Sequence, residues 1–173
     1  MGSFGGNRSG HDLGPPGFDS DTGFGILDVP GALAYPAPIR DPFEPNEDVD
    51  LIKANRLFAE PMPTISGALR ARLTAGEAPN GVYRVRVAAK RPVVAALTPD
   101  ANADVELWRP WTRSVHEASS SLAVPGARPG RRVEIVRFRN GAPSAVTAFV
   151  NVKLGAGAPR VTYRLAVSVA ARP

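Results

Sequence analysis

From Ile65 onward, apolar and polar residues alternate along the chain. Ile65, Gly67, Leu69, Ala71 and Leu73 fall on one side, with Arg70 and Arg72 opposite. Tyr83, Val85 and Val87 alternate with Arg84 and Arg86, and Tyr163, Leu165, Val167 and Val169 with Arg164 and Ser168. Val146, Ala148, Val150, Val152 and Leu154 alternate with Thr147, Phe149, Asn151 and Lys153. A period of two with one apolar side predicts half-buried antiparallel strands whose other side faces water. Further strands are expected near 92–98, 104–109 and 131–139. In the last, the apolar side switches from Val133 and Ile135 to Val136 and Phe138, the pattern of a β-bulge.

Turn signals separate these runs: Pro79-Asn80-Gly81, Pro99-Asp100, Pro125-Gly126, Pro129-Gly130, Asn140-Gly141 and Gly155-Ala156-Gly157. Seven or eight short strands so spaced predict a mainly β protein, an antiparallel β-sandwich of jelly-roll-like type. The first 25 residues are glycine-rich and polar, and read as irregular. Asp28 before Val29-Pro30-Gly31-Ala32-Leu33-Ala34 has the form of a helix start, so one short helix is expected near 29–35. The proline-rich stretch from Tyr35 to Pro42 reads as an extended linker. Two regions follow, 1–40 and a sandwich over 41–173.

Composition agrees with this reading. Of 173 residues, 18 are Pro and 17 Gly, which excludes a helical bundle. Cysteine is absent and His11 and His116 are the only histidines, so disulfides, thiolate zinc sites and multi-histidine metal centres are ruled out. No apolar run is long enough to span a membrane, and the amino-terminal residues carry no secretory signal pattern. The net charge of +5 is unevenly spread. Residues 1–60 hold four basic and ten acidic groups, and the remainder 17 and six. Arginines alternating with apolar residues suit the wet side of strands. A nucleic-acid surface built on Arg131, Arg132, Arg137 and Arg139 is the weaker reading, because no groove-reading element accompanies them, and no nucleic-acid partner is expected.

Two stretches carry a resemblance. Residues 12–29, Asp-Leu-Gly-Pro-Pro-Gly-Phe-Asp-Ser-Asp-Thr-Gly-Phe-Gly-Ile-Leu-Asp-Val, followed by Ala32-Leu33, resemble the end of a subtilisin-like serine protease domain. There a glycine-rich loop ending in Gly-x-Gly leads into a short strand and a closing helix. The second half resembles the bacterial pre-peptidase C-terminal domain. It does so through Asp41-Pro42-Phe43-Glu44-Pro45-Asn46-Glu47-Asp48, Val82-Tyr83-Arg84-Val85, residues 103–108 and residues 161–167. Gly81 departs from that pattern, where an acidic residue is common, and so does Val105-Glu106. The resemblance implies the carboxy-terminal part of a secreted serine endopeptidase. Its catalytic domain would lie upstream in cis, and the sandwich would serve targeting, stabilisation or export.

The family's chemistry needs a serine, a histidine and an aspartate, with the serine in a Gly-Thr-Ser-Met-Ala-like segment. No such segment occurs, so no catalytic residue is expected in this chain. Glu44, Asn46, Glu47, Asp48 and Asp50 are the best candidates for bound chemistry, because oxygen-rich side chains so closely spaced suit calcium. Some domains of the resembled kind bind calcium at this segment. A solvated acidic linker is the reading these residues favour over a calcium site. Trp108 and Trp111, interleaved with Arg109 and Arg113, could offer an aromatic-cationic surface to a polysaccharide or protein, although burial is the usual fate of a tryptophan. A free-standing extracellular binding module is therefore the second reading.

Overall fold

Among the described residues, eight strands build the carboxy-terminal unit of the protein, and their pairing follows from the alternation. A computed structural model describes residues 10–11, 26–27, 42–54, 60–116, 122–126 and 131–169. The chain divides into two units, Met1–Pro38 and Ile39–Pro173. In the first, β1 (Gly10–His11) pairs antiparallel with β2 (Ile26–Leu27), and β2 directly follows Gly23-Phe24-Gly25. The helix expected near 29–35 lies outside the described residues.

The second unit contains one turn of helix, α1 (Val49–Ile52), and then β3 (Gly67–Thr74), β4 (Asn80–Val87), β5 (Pro92–Pro99) and β6 (Ala103–Trp108). After these come β7 (Leu122–Val124), β8 (Glu134–Arg139), β9 (Val146–Leu154) and β10 (Arg160–Val169). One sheet has the order β3-β10-β5-β8, and the other β4-β9-β6-β7. The antiparallel pairs nest: β6 with β7, β5 with β8, β4 with β9, β3 with β10. One long ribbon rolled into two sheets has this pairing, and it is the jelly-roll topology.

The inward residues of both sheets form one core. Ala71, Leu73, Val93, Ala95, Leu97, Val161 and Leu165 come from the first sheet, and Val85, Val87, Val105, Leu107, Val150 and Val152 from the second. Each such valine or leucine contributes about 1.5–3 kcal/mol through burial. Tyr83 and Tyr163 meet inside this core, hydroxyl to hydroxyl at 2.6 Å. Gly81 leaves room for that pair, since a Cβ there would fall 2.7 Å from the Tyr163 oxygen. No acidic side chain fits at this position without displacing the tyrosines.

The bulge expected in 131–139 does not form. β8 pairs with β5 in unbroken register from Glu134 to Arg139. Val136 points inward with the buried carboxylate of Glu134, and Ile135 is 51% exposed on the other side. The register shift occurs instead between β6 and β7, at Leu107/Trp108. Strand β7 has only three residues, too few for periodicity to reveal. Helix α1 has only four residues, although Asp48 marks its start as an N-cap.

Candidate functional site

The two sheets differ in what lies on their outer sides. On the second sheet, residues 42–53 first run beside β4, an edge strand, and then fold over its outer side. Phe43 meets Tyr83 edge-on, with ring centres 5.8 Å apart. The main-chain oxygen of Asn46 accepts from Val82 N at 2.7 Å, and further along the same strand Ile65 N donates to Arg84 O at 2.8 Å. Both bonds use backbone groups that an edge strand otherwise leaves open. Val49 and Ile52 of α1 then pack on Val82, Phe149 and Trp108, with Met62, Val115 and Leu122 around them. A second, smaller apolar core therefore covers the side of β4-β9-β6 that alternation assigned to water.

Polar groups beneath this cover are bonded to one another. Asn151 Nδ2 donates to Glu106 Oε2 at 3.0 Å and to Asn80 Oδ1 at 3.4 Å, and Trp108 Nε1 donates to the same Glu106 oxygen at 3.0 Å. At the rim, Lys53 Nζ donates to Thr112 O and stands 4.8 Å from the centre of the Phe149 ring. Burial lowers the Lys53 pKa, assisted by the positive charges of Arg84 and Arg113. At the far end of β6, burial raises the Asp104 pKa, assisted by the negative charges of Glu134 and Glu106.

The acidic segment has a structural use. Asp48 Oδ1 accepts from Val49 N at 2.7 Å, capping α1, and from Val115 N at 2.8 Å, holding the loop after β6. Glu44 is exposed, and its Oε2 accepts from Asn46 N at 3.3 Å. Asn46 is fully buried. Among the described residues, no group of three or more His, Cys, Asp or Glu side chains stands together as a metal site. Replacing Asp48 with Ala removes the cap and leaves Val115 N without its acceptor. The expected loss is about 2–3 kcal/mol in urea unfolding, measured in chelator. A loss seen only when calcium is added would assign Asp48 to the metal instead.

The two tryptophans part company. Trp108 is 3% exposed and belongs to the small core, so the expectation of a paired aromatic surface is corrected for this residue. Trp111 is 63% exposed, with the Arg109 guanidinium 5.5 Å from its ring centre. The exposed His116 bonds Ser114 Oγ through its backbone nitrogen, which is not a nucleophile–base pairing. Phe149, Asn151 and Glu106 were missed as members of this site. The only local signal was an aromatic residue on the polar side of β9.

No protein-family model matches the chain, and no curated protein matches it. Among the described residues, no helix is long and apolar enough to cross a membrane.

Proposed function

We propose that the chain is the carboxy-terminal part of a secreted subtilisin-like serine endopeptidase, with the jelly roll as its accessory domain. The observation that carries this reading is the division between Pro38 and Ile39. On one side, strand β2 follows Gly23-Phe24-Gly25 directly, as in the resembled protease end. On the other, a sandwich with its own core begins at the Phe43-Glu44-Pro45-Asn46 lead-in. The accessory domain serves targeting, stabilisation or export, and calcium at Glu44, Asn46 and Asp48 belongs to the same reading.

Sequencing the coding DNA upstream of Met1, in frame, is the test. An open frame encoding a Gly-Thr-Ser-Met-Ala-like segment is expected. The longer product should then cleave casein and be blocked by a serine-directed inhibitor, while residues 1–173 alone should not cleave it. A stop codon and a start signal immediately before Met1 would overturn the reading.

The exposed Trp111 with its stacked Arg109 favours a second reading, an extracellular binding module for polysaccharide or protein. Retention on insoluble polymers that is lost in Trp111→Ala would support it, and retention unchanged by that substitution would count against it.

A further inference from the structure

Among the described residues, no apolar cluster like that on the second sheet lies on the outer side of the first, and the charged residues at its outward strand positions are all arginine. Arg70 and Arg72 on β3, Arg160 and Arg164 on β10, and Arg137 and Arg139 on β8 all occupy outward positions, by the alternation of buried partners on each strand. Five of them are exposed and Arg72 is half-buried. Within these four strands the only carboxylate is Glu134, which points inward. Asp100 stands just beyond β5, with its Oδ1 accepting from Thr162 N at 2.7 Å. Arg70 lies directly opposite Arg164 in the register, a like-charge cross-strand pair that weakens the sheet unless an anion bridges it.

The arginines form a diagonal track. Arg160, Arg72, Arg70 and Arg164 gather toward one end of the sheet, since Arg72 is level with Thr162 and Arg70 with Arg164. Arg137 is level with Val94, and Val94 with Ser168, four residues along β10 from Arg164. The gap is about 13 Å along the strand and about 10 Å across it, two strand spacings. Small residues, Ala166, Ala96 and Val94, floor the stretch between. A single small anion cannot reach both groups, whereas an extended chain bearing repeated negative charges can.

We propose that this face binds a linear acidic polysaccharide, one whose sugars carry carboxylate or sulfate groups. Arginine's planar fork matches such groups bidentately, and all six cations on the face are arginine. Nucleic acid fits less well, because none of the outward strand positions on this face carries an aromatic ring on which a base could stack. A bilayer fits less well too, because the outward apolar residues are strand positions in a sheet face rather than a protruding apolar tip. The proposal is independent of the protease reading, so either can fail alone.

The test uses the full chain and polygalacturonate as probe, with neutral dextran, duplex DNA and phosphatidylglycerol vesicles as comparisons. Binding to polygalacturonate should weaken steeply between about 50 and about 200 mM salt and be absent for dextran. Arg70→Ala/Arg164→Ala should weaken it at least about tenfold, and Arg137→Ala/Arg139→Ala likewise. Arg86→Ala, on the other sheet, should leave it unchanged. The melting temperature of Arg70→Ala/Arg164→Ala should equal or exceed that of the parent, since a repulsive cross-strand pair is removed. No binding at low salt, equal binding by the double variants, or tighter binding to DNA or vesicles would overturn the proposal.

Discussion

Replacing Phe149 with alanine should destabilise the protein by about 3–5 kcal/mol, the usual cost of emptying a buried aromatic site. The size of this effect is informative because alternation along β9 puts Phe149 on the polar side, where truncation costs about 0.5 kcal/mol or less. In the fold it is buried against Val49, Ile52, Val82 and Trp108, with Lys53 over its ring. Urea unfolding followed by tryptophan fluorescence measures the loss, and Thr147→Ala, two residues earlier on the same side, serves as reference. A loss below about 1 kcal/mol would mean that residues 42–53 do not cover this face.

Glu134→Ala should cost about 2–3 kcal/mol, because a buried main-chain donor loses a charged acceptor. Among the described residues, strand β7 pairs with β6 only at Leu107 and Trp108, and no other strand pairs with the earlier part of β6 on that side. Glu134 supplies an acceptor there, its Oε2 taking Val105 N at 2.8 Å. Gly126 lies against the same edge, where a Cβ would stand 2.8 Å from Val105 O. Glu134→Gln keeps an acceptor oxygen and should lose less.

The same pair of variants has a second readout in Asp104. Its pKa is raised first by burial and next by Glu134, so removing the Glu134 charge should lower it part of the way toward the ordinary 3.8. A folded carboxyl that holds its proton more tightly than the unfolded chain contributes stability that is lost as pH rises from near 3.8 through the raised folded value. That loss should be smaller in Glu134→Gln. Carboxyl titration by NMR measures the shift. An Asp104 titration identical in parent and variant would mean that the two carboxylates do not interact.

Much of the fold was legible in the residues. The runs around Ala71, Val85, Val150 and Leu165 alternate with charged or polar neighbours, and the turn signals between them set the strand lengths. In 131–139 the legibility failed. The switch from Ile135 to Val136 resembles a bulge only if Glu134 is assumed to face water. Its inward position depends on an amide of β6, 29 residues away in the chain. For the candidate site the same difficulty holds more widely. Asp48 is a legible N-cap, but the amide of Val115, its second partner, lies 67 residues away.

Alternation and turn chemistry along the chain already specify a sandwich of short antiparallel strands, and which residues share a side of each strand. Those properties follow from the two-residue repeat of extended backbone and from local turn chemistry. Which outer side is covered follows from how distant segments pack on the folded sheets. The polar side of β9 became the floor of a second core because α1 and the loop after β6 dock on it, whereas among the described residues no such cluster forms on the arginine side of β3, β10 and β8. Periodicity reports how side chains divide between two faces. What lies against each face depends on segments that meet only when the ribbon has rolled up.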